Sequence, residues 1–362
     1  MKKLFVCIPA IILVSFLLNS FVLKEKEGGK ITTQEAKSFT GAALDDKFYT
    51  DRFAKVSFYN VNRNKLKPVN HVFRSTDGGQ TWQSISKGLP QTDQPVNLFA
   101  GETDLYLHLK NAMYHSKSNL VTSAWEKVNV PDLQSASSRP STSIAFNHSG
   151  VMAFNYDGHI YQTLTAAKYW LPLYPNFNKP SLRTVFETSG GTAFLGYDHG
   201  LYRSTDKGKT WKQVQKGLVM NVVESGGVLL ATGGNGIMRS ADNGEHWQWV
   251  ISEGGVGIAV ERIKGGFATV YYDTKSKSRR IRISLDGGKT WQAIDQGLPP
   301  SSLISSIKQV GKYFICGHPD GIFRSSDMGK SWTKVYPGVE ERSFKITVSG
   351  NVLYAVEANA GC

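Results

Sequence analysis

The sequence predicts an all-β fold, a single seven-bladed β-propeller of four-stranded antiparallel blades preceded by an N-terminal signal or anchor helix. Three observations carry this prediction. One nine-residue pattern recurs five times, and seven of the 8 Trp fall at near-equal intervals. The composition, with 36 Gly, 13 Pro, 15 Tyr and 18 Phe in 362 residues, suits many short strands and tight turns rather than a helix bundle, a coiled coil or a disordered chain.

The first element is apolar. Lys2 and Lys3 precede a 20-residue uncharged stretch, LFVCIPAIILVSFLLNSFVL, so residues 1–23 read as an export signal. The best cleavage position, after Ser20, has Leu18 where a small residue is needed. The segment is therefore read as either a cleaved signal or a retained anchor, since about 20 residues span a bilayer. Residues 24–49, opening KEKEGGK, are polar and read as a flexible tether, and residues 50–362 as the propeller. The propeller is thus expected outside the cytoplasmic membrane, either periplasmic, secreted or membrane-anchored. Beyond the signal only Cys316 and Cys362 remain, which excludes a disulfide-stapled scaffold and leaves room for one bridge.

The repeats come next. RSTDGGQTW ends at Trp82, RSTDKGKTW at Trp211, RSADNGEHW at Trp247, ISLDGGKTW at Trp291 and RSSDMGKSW at Trp332. Two eroded copies end at Trp125 and Trp170. The seven Trp are 43, 45, 41, 36, 44 and 41 residues apart, room for a four-stranded sheet but too little for a βαβ unit with its loops. Within each repeat an apolar third strand (GLYRS, GIMRS, GIFRS) enters the turn, and the fourth strand starts at Trp. Asp can accept backbone N–H groups across such a turn, Gly supplies a positive φ, and Trp buries its ring against the sheet. Asp77, Asp206, Asp242, Asp286 and Asp327, with Trp82, Trp211, Trp247, Trp291 and Trp332, are accordingly read as structural.

These segments resemble the Asp-box (BNR) repeat family, which includes sialidases, sortilin-type receptor ectodomains, xyloglucan hydrolases and photosystem II assembly factors. The resemblance covers residues 70 to 362 and implies a propeller; it implies no particular activity, because sites are grafted on folds. Sialidases of this family carry an Arg in an [FY]-R-I-P motif. Here Phe73-Arg74 and Tyr202-Arg203 run into Ser, and R-I-P is absent. The xyloglucan hydrolases take a catalytic Asp from each of two propellers, whereas this chain has length for one.

Closure of the ring has two candidate routes. The 30 residues after Trp332 and the 12 from Asn70 to Trp82 make one repeat length, so 344–348 and 352–356 would complete the blade begun by HVFR and TWQSI. In the rival route the N-terminal strand KVSFYN, residues 55–60, fills that place.

A ligand site is expected on the face opposite the Asp-box turns, where the loops joining second to third strands meet the loops between blades. There lie Tyr156, Asp157 and His159; Tyr197, Asp198 and His199; Tyr272 and Asp273; and His318 and Asp320. Asp157, Asp198 and Asp320 are candidate acid/base carboxylates for a glycosidic bond; the same Asp-Gly and Asp-His-Gly sequences are also ordinary hairpin-turn chemistry. Lys275, Lys277, Arg279, Arg280 and Arg282 form the densest basic run, with Arg63, Lys65 and Lys67 a second. Phosphate-loop, HExxH, CxxC and GxSxG motifs are all absent, so no cofactor and no metal is expected. The net charge of +13 favours acidic partners. Export disfavours nucleic acid, leaving a protein or an anionic glycan or cell-envelope polymer as partner of a monomer whose membrane contact is confined to its N-terminal segment. Two functions follow: a non-enzymatic binding or assembly propeller, or a glycoside hydrolase.

Overall fold

The computed structural model describes residues 72–359, apart from 91–94, 111, 119–123, 132–141, 164–168, 175–176, 178 and 339–341. The signal, the tether and the KVSFYN strand lie outside the described residues. All regular structure in the described part is β: seven four-stranded antiparallel sheets, each with its strands in the order a, b, c, d from the ring axis outward. Blade 4 is typical, with strands Leu182–Glu187, Ala193–Tyr197, Gly200–Ser204 and Lys212–Lys216.

The ring closes by the first of the two expected routes. Blade 1 takes strands a and b from the C-terminus, Arg342–Ser349 and Val352–Asn359, and strands c and d from the N-terminal side, Val72–Ser75 and Gln83–Ser84. Val72 pairs with Val356 and Ser75 with Leu353, so the place beside the third strand is filled. The unit Leu66–Cys362 contains every described strand of the ring and every cluster of its core.

The core is divided into seven clusters, each bridging two adjacent blades. In every one, the Trp that opens strand d packs with the aliphatic residue three positions after the Trp of the preceding blade. The couples are Ile85 with Trp125, Val128 with Trp170, Leu173 with Trp211, Val214 with Trp247, Val250 with Trp291, Ile294 with Trp332, and Val335 with Trp82. Two of these contacts also carry a hydrogen bond, the indole N–H donating to the carbonyl of the aliphatic partner: Trp125 to Ile85 at 2.8 Å and Trp332 to Ile294 at 2.7 Å.

The turns explain the recurring motif residue by residue. In the first box the Asp77 carboxylate accepts from the Ser75 hydroxyl at 2.8 Å, the Thr81 hydroxyl at 2.6 Å and the Gln80 and Thr81 backbone N–H groups. The same pattern surrounds Asp206, Asp242, Asp286 and Asp327. The residue after each Asp has φ between 59° and 72°, the left-handed region, even where it is Lys207, Asn243 or Met328. That conformation turns its carbonyl outward, and an Arg of the preceding blade takes it: Arg203 bonds Asn243 O, Arg239 bonds Gly287 O, and Arg324 bonds Gly78 O across the closing junction. In blades 4, 5 and 7 the R-S of the motif thus serves two boxes, Ser in its own and Arg in the next; the blade 6 motif has Ile283 where Arg would stand. In blade 2, where the motif is eroded, the buried Ser116 hydroxyl has no hydrogen-bond partner, and Asp104 gathers Thr103, His115 and Lys117 instead.

Close packing of neighbouring inner strands explains two glycines. A Cβ on Gly317 would stand 1.8 Å from Phe344 O, and one on Gly196 2.7 Å from Val219 O, both in the next blade.

Two outcomes are expected. Trp332→Phe keeps an aromatic ring but loses the bond to Ile294 O, costing about 1 kcal/mol. Trp332→Ala costs about 3 kcal/mol or more, through the vacated interface; denaturant unfolding measures both. The hydrogen bonds around the box carboxylates also set the acid limit. At Asp77 partial burial pushes the carboxyl up, but the Thr81, Ser75 and Gln80 bonds override it and hold it at about 2. The Thr210 hydroxyl and backbone N–H, with Ser204, hold Asp206 at about 2, and Ser331 does the same for Asp327. These pKa values are depressed below the ordinary 3.8, so their stabilisation is complete above that pH and is lost as pH falls through about 2. Melting followed by circular dichroism should fall steeply below about pH 4, and a midpoint that stayed constant there would contradict this assignment.

Candidate functional site

The b–c loops and the loops between blades share one face, as their mutual hydrogen bonds show: Ser181 N to Tyr156 O, Asp198 N to Ser181 O, Gly217 N to His199 O and Gly338 N to Asp320 O. The Asp boxes and the a–b turns occupy the other face. There Ser149, in the a–b turn of blade 3, bonds Glu187, and Asn243 bonds Thr192.

Blades 3 and 4 bring three polar groups together at the loop face. Asp198 accepts from Tyr156 OH at 2.7 Å and from Arg183 through Nε at 2.6 Å and a second guanidinium nitrogen at 3.2 Å. The guanidinium also lies 4.8 Å from the centre of the Tyr156 ring. Arg183 sits on the innermost strand, beside the ring axis. Asp157 and His159 are half-buried in the adjoining turn, where Asn155 Oδ1 accepts the His159 N–H at 3.0 Å. Tyr197 is only 2% exposed and belongs to the aromatic core with Phe177 and Tyr202, which pushes its phenol pKa up through burial. His199 is exposed, and its carbonyl accepts from Gln213.

Elsewhere on this face the candidate residues organise turns. Asp273 is buried and caps the blade 6 hairpin, accepting from Lys275 N, Ser276 N and the Ser276 hydroxyl; chiefly the hydroxyl holds its carboxyl below the usual range. Tyr272 is half-buried, its N–H donated to Val256 O. His318 is 1% exposed: Nε2 donates to Pro299 O and Nδ1 accepts the Asp320 N–H, both at 3.0 Å, which fixes one neutral tautomer. Burial lowers its pKa in keeping with that role. The Asp320 side chain stays exposed.

The basic run divides in two. Lys275 and Lys277 are exposed at the tip of the hairpin, whereas the three arginines lie along strand c, Ser278–Ser284. Arg279 is buried and donates to Ile304 O at 2.8 Å. Arg280 forks onto Asp295 at 2.5 and 3.0 Å, and Arg282 onto Glu253 at 2.7 and 3.1 Å while lying over the Tyr271 ring.

Five partners here carry no motif: Arg183, Glu253, Asp295, Arg342 and Glu357. Glu357, on strand b of blade 1, is 7% exposed with Arg342 Nη1 at 3.6 Å; burial raises its pKa and the arginine only partly offsets this. A shallow concavity of about 360 Å³ lies on the outer strand of blade 4, lined by Gln213, Val214, Gln215 and Lys216, away from the ring axis. Among the described residues no cluster of three or more His, Cys, Asp or Glu side chains could hold a metal ion.

With this geometry in place, the chain can be assigned a class: it is a seven-bladed β-propeller built on BNR/Asp-box repeats. The BNR/Asp-box repeat family matches residues 73–84 and 282–293, and the BNR-Asp box repeat family matches 201–214 and 322–335. The box at Asp242 lies outside these matches but makes the same hydrogen bonds. No curated protein sequence matches the chain. Among solved structures, the GH74 xyloglucanase from Xanthomonas campestris is 14% identical over 76% of this chain and 53% of its own, with a TM-score of 0.58. YCF48 from Cyanidioschyzon merolae is 13% identical over 74% of this chain and 97% of its own, with a TM-score of 0.50. The extracellular domain of a putative one component system from B. thetaiotaomicron is 10% identical over 70% of this chain and 35% of its own, with a TM-score of 0.53. The chain spans about half the length of the xyloglucanase. At these identities the likeness is one of fold.

Removing Asp198 tests its place in the blade 3–4 junction. Asp198→Ala strands the Arg183 guanidinium and the Tyr156 hydroxyl, and should lower stability by about 1–2 kcal/mol in urea unfolding. Asp198→Asn, which keeps an acceptor, should cost less. An unchanged midpoint in Asp198→Ala would show that the junction does not rely on this carboxylate.

Proposed function

We propose that the protein is an exported, non-enzymatic binding or assembly propeller that presents its loop face to a protein or glycan partner. The observation carrying this reading is the engagement of four acids on that face, Asp198, Asp273, Asp295 and Glu253. Both oxygens of Asp198 are taken by Arg183 and Tyr156, and Asp273 is consumed as a turn cap. Asp295 and Glu253 are forked by arginines. A glycosidase needs one carboxyl free to donate a proton and a second about 5–10 Å away to attack or to activate water. Acids engaged by arginine in this way are oriented toward the protein rather than toward a substrate. The apolar N-terminal segment and the polar stretch after it support export and display on a tether.

One observation favours the alternative, a glycoside hydrolase. Glu357 is a buried carboxyl of raised pKa at the loop-face end of its strand, the property expected of a proton donor. The discriminating experiment is turnover of a panel of aryl glycosides, a sialoside included, by the wild type and by Asp157→Asn, Asp198→Asn, Asp320→Asn and Glu357→Gln. The expected result is no turnover by the wild type, together with capture of a partner that loop-face substitutions abolish. Turnover that one of these substitutions eliminates would establish the enzymatic reading instead.

A further inference from the structure

The two faces of the ring handle charge differently. On the box face, the exposed Lys207, Lys209, Lys289 and Lys330 alternate with the ionised box carboxylates Asp206, Asp286 and Asp327, so opposite charges are interspersed. On the loop face the arginines and acids cancel in pairs, Arg183 with Asp198, Arg280 with Asp295, Arg282 with Glu253 and Arg342 with Glu357. Among the described residues, what remains is lysine: Lys87, Lys110, Lys179, Lys216, Lys275 and Lys277, all exposed and none in an ion pair. They are spread over the loops of blades 1, 2, 4 and 6 and the connection from blade 3 to blade 4. Against them, among the described residues, stand Asp157 and Asp320.

We propose that this lysine-studded face binds a flexible, linear polyanion, an acidic glycan of the cell envelope; the inference rests on the binding reading above and selects one of its two partner classes. Three features favour a glycan over a folded protein. Among the described residues of this face the exposed, unpaired cations are all lysines, compact charges on flexible stems, while Arg183, Arg280 and Arg282, which would fork onto carboxylates at a fixed interface, are already engaged. Stable protein interfaces are centred on exposed aromatic or arginine anchors. Among the described residues the large exposed apolar side chains are Tyr169, Leu171, Trp249, Leu285 and Met328, which lie on outer strands or box turns, not on this face. Finally, the lysines are distributed around the ring rather than grouped, so one epitope cannot reach them all, whereas a chain repeating its charge can follow them. Lys179 is seated over the Phe177 and Tyr202 rings at 5.0 and 4.4 Å and is best left intact in a test.

The test uses the purified full chain, with polygalacturonate as the acidic glycan and dextran as its neutral counterpart. Wild type should bind polygalacturonate and not dextran, and binding should weaken about tenfold or more between about 50 and 200 mM salt. The combined substitution Lys87→Gln, Lys110→Gln, Lys216→Gln, Lys275→Gln and Lys277→Gln should reduce affinity at least tenfold with an unchanged melting temperature, because none of these side chains holds the fold. The box-face set Lys207→Gln, Lys209→Gln, Lys289→Gln and Lys330→Gln should bind as wild type does. Equal loss in both sets, salt-independent binding, no binding at all, or tighter binding to polyglutamate or to phosphatidylglycerol vesicles would overturn the proposal. Cleavage of the polygalacturonate would instead overturn the non-enzymatic reading on which it rests, so the two failures are distinguishable.

Discussion

Each blade is held by an interaction it makes with its neighbour. A four-stranded sheet of some forty residues has two faces to cover and no layer of its own to cover them, so it cannot bury a core alone. Here the burial is supplied in the same way seven times: the Trp at the start of the outer strand of one blade lies against the aliphatic residue three positions beyond the Trp of the blade before. The final couple, Val335 with Trp82, joins the last full blade to the composite one. Because each blade borrows part of its core from a neighbour, closing the ring lets all seven clusters form.

The polar turns register this apolar ring rather than create it. The Asp of each box fixes the turn from which its Trp departs, and at Gly78, Asn243 and Gly287 the left-handed residue after the Asp offers a carbonyl to the arginine of the preceding blade. Where the motif has decayed, at Trp125 and Trp170, the packing couple persists. In blade 2, Ser116 keeps the position of the box serine and has lost its partner.

The sequence made this architecture legible because the devices repeat. The five boxes, the Trp spacing and the repeat-length sum that assigns 344–348 and 352–356 to the first blade all depend on regularity along the chain. The aliphatic position three beyond each Trp was equally regular, yet Ile, Val and Leu are too common to attract notice without the interface they fill. The loop face was far less legible. Tyr156, Asp198 and His318 could be placed on it, but their partners Arg183 and Pro299 come from strands and connections with no motif. Likewise the basic run looked like one patch in sequence, although Lys275 and Lys277 point out at the hairpin tip while Arg280 and Arg282 are matched to Asp295 and Glu253. One-dimensional charge density does not reveal which charges are cancelled across blades.

The composite first blade constrains how the protein can come into being. Its outer strands are among the earliest parts of the ring to be synthesised and its inner strands the last, so Val72–Ser75 must await Val352–Asn359 before it has a hydrogen-bonded neighbour on its inner side. During vectorial delivery of the chain, six blades can assemble in sequence while the ring stays an open arc with two unsatisfied ends. Only the arrival of Arg342–Ser349 and Val352–Asn359 converts that arc into a closed circle, so a chain truncated before these strands keeps two open edges that the intact ring does not have.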